Sequence, residues 1–450
     1  PRRASNASEV RTLPLLAGCR VGAEHCVDAA MRALRARGAT LREILVLSAT
    51  TQYAPDAMTP CRWAGIGEAH LPPLSGNATT GRRDEFWVAV LPLRAQQSPS
   101  LLNKEGGEGG QGGGAHNCTL AAGSTVDLAI VVLSNATHTP SPVDRLRQRI
   151  EAAERNGLQL YLPMLALPHR AAPKTWAVDR LAVPAYLQLV QREARDVQRR
   201  FGPLLAGRTG TILGVYQTHE MIVSGSTFWR QECRFYDQIA EILHSSLGPD
   251  YQVVVSPYWD VNKDSANLAS RQTMDGIAAL ARTGIDVVAP QEGRGTGKCA
   301  CFTEEEANVP IFEVDPNLAR YPNVRGGNVT FREQFWASTS ELFAAARATV
   351  NAANAHNRSA ARQLALWFNL EAFEHTRENP HCGAADTDRT NASRVERSWQ
   401  LVRDAPLAPG TQPPVVDALI TYMWDPFFTC TPEGYRESLY QALLPPPPHT

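Results

Sequence analysis

The sequence predicts an α/β fold, a (β/α)8 TIM barrel with an inserted β-hairpin and loop region after strand 2 and long rim loops after strands 6 and 7. Three observations carry that expectation. Short apolar runs alternate with amphipathic stretches along nearly the whole chain of 450 residues. The runs are almost continuously apolar, the mark of parallel strands covered on both faces. Eight such strand–helix units can be counted, and no dinucleotide-type glycine fingerprint follows the first strand, which favours closure over an open doubly wound sheet.

In chain order, residues 11–20 read as the weakest strand, followed by an Ala-rich helix over 23–37 that Gly38 stops. ILVLSA at 44–49 is the second strand. A helix over 144–156 with Gly157 behind it leads to LQLYLPML at 158–165. A helix over 183–201, closed by Gly202, leads to TILGVY at 211–216. The helix over 228–247 ends at Gly248 before YQVVVS at 251–256, and that over 268–283 ends at Gly284 before IDVVA at 285–289. A helix over 331–355 precedes QLALWFN at 363–369, and one over 393–404 precedes DALITYM at 417–423. A last helix spans 434–444.

The barrel is expected to span 10–445 as one domain. The surplus length sits mainly in the insertion 53–142, where apolar segments 85–93 and 126–133 are expected to pair as a hairpin. Its tract GGEGGQGGG at 106–114 has almost no side chains to pack and is expected to be disordered. Excursions over 293–330 and 375–391 follow strands six and seven, and a Pro-rich tail covers 445–450. All the excursions follow strands, so they belong to the C-terminal rim, where such barrels keep their sites.

Composition narrows the partners. With 44 Lys and Arg against 45 Asp and Glu there is no basic footprint for phosphate backbones, which argues against nucleic acid. No stretch approaches the ~18 consecutive apolar residues of a membrane span. Seven N-x-S/T sequons, at Asn6, Asn77, Asn117, Asn135, Asn328, Asn357 and Asn391, exceed chance expectation; chance would give roughly two. They predict N-glycans and a secreted or lysosomal, endomembrane-lumen protein of a eukaryote. No basic and apolar leader opens the sequence, so a signal peptide is expected to have been removed. Nine Cys fit an oxidising compartment and leave an odd thiol. Cys61–Cys118 is one candidate bridge, and Cys382 or Cys430 could reach Cys299 or Cys301. No metal or other cofactor is expected: Cys299-Ala-Cys301 lacks a second pair at finger-like spacing.

Polar residues just past the strand ends of a barrel converge on one pit. Those positions hold Gln52 and Tyr53, His169, Tyr216-Gln-Thr-His219-Glu220, Ser256-Pro-Tyr258-Trp259-Asp260, Pro290-Gln291-Glu292, Asn369-Leu-Glu371-Ala-Phe373-Glu374, and Tyr422-Met-Trp424-Asp425. Several acids and several aromatics share that mouth. Aromatic faces stack on sugar rings while amides and carboxylates bind hydroxyls. Acetal cleavage needs a proton donor and a second carboxylate. Glu220 after strand four and Glu371 after strand seven lie roughly across the ring from each other and are the expected catalytic pair. Gln52, His169, Tyr216, His219, Tyr258, Trp259, Gln291, Glu292, Asn369, Tyr422, Trp424 and Asp425 are the expected substrate contacts. Trp367, inside its strand, reads as packing; Trp259 and Trp424 can equally be core. Gly293-Arg-Gly-Thr-Gly297-Lys298 resembles a phosphate cradle but lacks the P-loop spacing, has Cys299 where Ser or Thr would bind the metal, and follows strand six. No HExxH, EF-hand loop or G-x-S-x-G elbow is present. His116, His244 and His356 read as surface or helix positions without partners.

Four phrases together resemble a known family: GVYQTHE at strand four, TMDGIAALARTGIDVVAPQEGRGTGK around strand six, ALWFNLEAFE at strand seven and ITYMWDPFF at strand eight. The chain is similar, over about 10–445 outside the insertion and rim loops, to the glycoside-hydrolase-like barrels labelled domain of unknown function 4434. Those barrels tend to show W-Y-x-x-x-E, A-P-Q-D-G and W-x-N-x-E-x-F at strands four, six and seven. The resemblance places the strand-four acid at Glu220, the strand-seven acid at Glu371 with Asn369 beside it, and the strand-six polar pair at Gln291 and Glu292. Glu292 replaces the family's Asp, and His219 precedes Glu220 where the large retaining clan has Asn. By analogy with that clan, Glu220 would be the general acid/base and Glu371 the nucleophile of a retaining, metal-independent hydrolase acting on a poly- or oligosaccharide. Were the carboxyls ~6.5–9.5 Å apart, inversion would follow, with Glu292 or Asp425 as base. A non-catalytic carbohydrate-binding barrel is the main alternative, and a barrel hydrolase or lyase on a non-sugar substrate is the third.

Overall fold

The computed structural model describes residues 11–16, 44–47, 61–63, 88–93, 114–120, 125–132 and 159–163, single helical positions between 150 and 199, and most of 201–439. Within that last range it leaves aside 206–209, 218–220, 224–226, 265–272, 358–361, 377–380, 383–386, 408–414, 423–426, 428–429 and 432–435. The helices expected over 23–37 and 434–444 lie largely or wholly outside the described residues, as does the glycine tract up to residue 113.

Strands β1 (Arg11–Leu16) and β2 (Ile44–Leu47) are followed by β3 (Cys61–Trp63), β4 (Val88–Leu93), β5 (Gly114–Leu120) and β6 (Thr125–Val132). The last four make a separate antiparallel sheet in the order β3-β5-β6-β4. The two segments expected as a hairpin are therefore adjacent strands, with Val90 opposite Ile130, but β5 lies between them in sequence and pairs with β6 on the other edge.

Six parallel strands then lie side by side and curl into half a barrel: β7 (Gln159–Pro163), β8 (Ile212–Gln217), β9 (Gln252–Val255), β10 (Val287–Val288), β11 (Ala365–Glu371) and, beyond the short antiparallel pair β12 (Phe373–His375) and β13 (Thr387–Arg389), β14 (Ala418–Tyr422). β1 pairs with β14 and with β2, and β2 pairs with β7, so the hydrogen-bonded order returns to its start. The apolar runs of the sequence become strands because continuous burial on both faces is what a parallel sheet offers.

Side-chain alternation divides the core. Tyr161, Tyr216, Val254, Val287, Ala289, Trp367, Ala418 and Ile420 form one buried cluster inside the ring, with Tyr161 and Trp367 edge to face at 5.4 Å. The residues between them, among them Val215, Val253, Val255, Val288, Leu366 and Phe368, face outward into the larger cluster shared with the helices. Those helices include α1 (Thr227–Leu247), α2 (Thr273–Leu280), α3 (Thr339–Asn357) and α4 (Ala392–Arg403). Trp259 packs edge to face on Phe343 of α3 at 4.9 Å, and Phe343 in turn meets Phe368 at 4.7 Å.

The helix expected over 331–355 is two pieces. Thr330 and Glu333 form a capping box over the single turn Phe331–Gln334, which ends at an extended Phe335. Ser338 then starts α3 in the same way: Glu341 accepts from the Ser338 N–H at 2.7 Å and donates its own N–H to Ser338 Oγ at 3.2 Å. Two S/T-x-x-E starts eight residues apart in the sequence specify two helices.

Cys382 and Cys430 are joined in a disulfide, and Cys299 and Cys301 are free and buried, so neither reaches the rim cysteines as expected. The bridge closes a loop of 48 residues. Such a loop corresponds to about 4 kcal/mol of unfolded-state entropy. We expect Cys382→Ser to lower the unfolding free energy by about 2–4 kcal/mol in urea titrations under non-reducing conditions; a change under ~1 kcal/mol would contradict this.

Candidate active site

Along β11 the inward-facing column reads Ala365, Trp367, Asn369, Glu371, passing from the apolar plug to the C-terminal end of the strand. Asn369 is fully buried, and its Nδ2 donates to Ser256 Oγ at 2.9 Å. The Ser256 hydroxyl donates to the Ala289 carbonyl at 2.8 Å, which fixes the amide so that Asn369 Oδ1 is the free end; it has no partner among the described residues. Gln291, half-buried, pairs its backbone with Asn369 and donates from Nε2 to the Ser256 carbonyl at 3.3 Å. Above this layer Glu371 is 2% exposed.

The turn Arg294–Thr296 closes over Glu371, with left-handed Gly293 and Gly297 at its two ends (φ 78° and 68°). Gly295 N–H donates to Glu371 Oε2 at 2.5 Å. A Cβ on Gly295 would lie 2.7 Å from Phe373 Cε2 and 2.8 Å from Glu371 Oε2, so only glycine permits this approach. Burial pushes the Glu371 carboxyl up and the nearby Glu292 charge adds to it. The Gly295 N–H, the Lys298 charge and the Gly293 N–H pull the other way, leaving the group at about 7. Lys298 itself stands 3.9 Å over the Tyr258 ring.

Glu292 is not a mouth residue. Val287 and Ala289 point inward and Val288 outward; the same alternation turns Glu292 out, away from the pit. There it is fully buried under α4. Arg294 Nε lies 2.7 Å from Glu292 Oε1, Ser398 Oγ donates to the same oxygen at 2.7 Å, and the Glu371 N–H donates to Glu292 Oε2 at 3.1 Å. Arg294 also donates to the Glu371 carbonyl at 3.1 Å. Burial is the largest single effect and opposes the Arg294 charge, but Glu292, with Cys301, Asp315 and Tyr321 behind it, raises the guanidinium above its ordinary value. Glu292 thus holds the end of β11, with both carboxylate oxygens already engaged, where a substrate contact or base had been expected. Burial and Glu292 push the neighbouring Cys301 thiol up to about 12.

The other expected contacts divide. Trp259 is fully buried between sheet and α3, packed edge to face on Phe343. Tyr216 fills the barrel interior below the mouth. Tyr258 is 4% exposed, beneath Lys298. Tyr422 stands opposite Glu371 in the backbone register. Gln52, His169, His219, Glu220, Trp424 and Asp425 lie outside the described residues. The chain just beyond Glu220 runs beside the exit of β9: Tyr258 N–H donates to the Met221 carbonyl at 2.9 Å, and Val223 N–H to the Tyr258 carbonyl at 2.7 Å. Glu374 is held by Arg320, Asn317, Thr390 and Arg394, a structural acid. His244 is paired with Asp286 at 2.9 Å, contrary to its expected lack of partners.

Sequence reasoning picked out the segments that hold Ser256, Arg294, Gly295 and Lys298 but gave these residues no role at the site. The signal for three of them was the glycine-punctuated run after strand six, whose geometry is a cover for Glu371. Among the described residues no group of three His, Cys, Asp or Glu is arranged to hold a metal, and no helix is long and apolar enough to cross a membrane.

No family model matches the chain and no curated protein matches it, so the resemblance to the domain of unknown function 4434 family gains no support there. Among solved structures it is similar to a protein inferred to be an alpha-L-fucosidase from Bacteroides thetaiotaomicron, at 10% identity over 97% of this chain and 93% of that one, TM-score 0.47. It is similar to a GH18 chitinase from Pseudoalteromonas aurantia at 8% identity over 92% and 94%, TM-score 0.36. A Penicillium canescens endo-1,4-beta-xylanase matches at 12% identity over 63% and 68%, TM-score 0.32. Likenesses this distant transfer neither a residue nor a reaction.

Proposed function

We propose that the chain is a (β/α)8-barrel glycoside hydrolase, acting on a poly- or oligosaccharide in the secretory or lysosomal space, with Glu371 and Glu220 as its two carboxylates. The observation that carries this is Glu371: it ends the inward column of β11 at the C-terminal face, buried, with its carboxyl held near 7. A perturbed acid at that position of a barrel is the pattern of a working group. Asn369 Oδ1, a buried acceptor in the same column, suits a sugar hydroxyl. For substrate to reach Glu371 the Gly293–Gly297 turn must lift, and its glycine ends supply the backbone freedom.

The pKa direction reverses the roles taken from the clan analogy. A carboxyl near 7 is mostly protonated in an acidic compartment, so Glu371 suits proton donation and Glu220 the nucleophile or base. The expected kcat against pH profile falls as pH rises through about 7. A rate that instead climbs through that range would return the nucleophile's role to Glu371. The burial of Glu371 under Gly295 also favours one other reading, a carbohydrate-binding barrel without turnover. A glycan-panel digest separates the two: reducing ends released by the parent and absent with Glu371→Gln support the hydrolase, whereas glycan binding without release over long incubation supports the binding barrel.

A further inference from the structure

The turn over Glu371 is tied down from behind. Gly297, which ends it, offers its carbonyl to two side-chain amides: Asn262 Nδ2 donates at 2.8 Å and Asn323 Nδ2 at 3.2 Å. A Cβ on Gly297 would stand 2.9 Å from Asn323 Oδ1 and from Tyr321 Cγ, so the close approach needs glycine. One residue on, the Lys298 carbonyl accepts from the Val261 N–H at 3.0 Å. At the other end Arg294 donates to the Glu371 carbonyl at 3.1 Å and pairs with Glu292. Between these ties the Gly295 N–H meets Glu371 Oε2.

Asn262 is the hub of that hold. It is fully buried just past the end of β9. Its Nδ2 also donates to the Asn323 carbonyl at 3.0 Å. Its Oδ1 accepts from Gln334 Nε2 at 2.6 Å and from the Asp264 N–H at 3.0 Å. Two donors and two acceptors are all that an amide side chain offers, so the whole complement is spent. Carbonyls on one side and N–H groups on the other allow a single orientation. Gln334, also fully buried, donates to the Asn323 carbonyl at 3.1 Å, which brings the exit of β9, the cover and the excursion after β10 into one knot.

We propose that Asn262, assisted by Asn323, is a positioning residue of this site: its hold on the Gly297 carbonyl keeps the cover down on Glu371 and sets how often that carboxyl is open to an incoming molecule. The inference rests on the turn being the cover of the site proposed above. Opening needs no turnover, so it stands or falls apart from the hydrolase reading.

The test is hydrogen–deuterium exchange of the whole chain at pH 8, read on the peptide holding residues 293–298 against the one holding β9. Asn323→Ala takes one amide from the Gly297 carbonyl at a half-buried position and should speed exchange in the turn about fivefold. Asn262→Asp keeps both bonds that Oδ1 accepts and loses both that Nδ2 donates, and should speed it about tenfold or more. At pH 5 most of that excess over the parent should vanish. Burial and the adjoining Asp260 and Asp264 favour a protonated carboxyl there, against the pull of Arg325, and its O–H donates again. A packing role alone has no such reversal. As a second readout, glycinamide with a water-soluble carbodiimide at pH 6 should amidate Glu371 about fivefold faster in Asn323→Ala than in the parent, with Glu374 unchanged. If Asn262→Asp does not fold, the two Asn323→Ala measurements decide alone. Turn exchange at the parent rate, acceleration that spreads equally to β9, an Asn262→Asp excess that ignores pH, or unchanged amidation of Glu371 overturns the proposal.

Discussion

Glu371→Gln is expected to abolish glycan cleavage, by about a thousandfold or more, and at the same time to make the protein more stable at alkaline pH. The two effects have one cause. The folded carboxyl sits at about 7, above its ordinary 4.5, so the folded state binds its proton more tightly than the unfolded chain does. The resulting stability is fully present below pH 4.5 and is lost as pH rises to about 7. Above that range the parent carries a buried carboxylate at a cost of about 3 kcal/mol, which a neutral amide escapes. Urea titrations at pH 4.5 and pH 8 should therefore show parent and Glu371→Gln similar at the lower pH, and the variant more stable at the higher. A stability gap independent of pH would mean the carboxyl is not perturbed. Retained cleavage in a folded variant would remove Glu371 from the chemistry.

Arg294→Met is expected to cost about 3–5 kcal/mol of unfolding free energy, because it strands the Glu292 carboxylate in a site with no exposure. Glu292→Gln together with Arg294→Met removes both charges and should recover much of that loss. The comparison also separates the two roles considered for Glu292. As a group that holds the end of β11, its neutralisation acts on stability and, through the Glu371 N–H, on kcat; as a substrate contact it would raise KM in a protein of unchanged stability. Denaturant midpoints and slopes for the single and double variants, beside steady-state kinetics, decide it. A loss below ~1 kcal/mol in Arg294→Met would show that the pair is not the anchor its burial implies.

Much of the sheet was legible because its cause is local. A run such as YQVVVS can be buried on both faces only in a parallel sheet, and its strand follows within a residue or two. The break before α3 was equally local: Ser338-Thr-Ser-Glu341 announces a helix start, and reading through it produced one helix where there are two. The direction of Glu292 was also available, since counting by twos from Val287 sends Gln291 inward and Glu292 outward. The rest was not. Ser398 meets Glu292 across 106 residues, and Gly295 meets Glu371 across 76, contacts that no periodicity encodes. Trp259 and Tyr258 are neighbours in sequence, yet one serves the core and the other lies beneath Lys298; the aromatic count at the strand ends concealed that division. The cysteine pairing likewise depended on which loops fold back, as the Cys382–Cys430 bridge shows.

The apolar cluster inside the ring sets a traffic rule for anything the mouth receives. Among the described residues, Tyr161, Tyr216, Val254, Trp367 and Ile420 fill the interior, each being at most 5% exposed. On those strands the barrel is plugged below its mouth. A polymer substrate of the proposed hydrolase would lie across the rim or lower one end in, and would not be threaded through the barrel's base. In the hydrolase proposed above, product formed beside Glu371 would leave by the rim through which substrate came, so arrival and departure would share one queue.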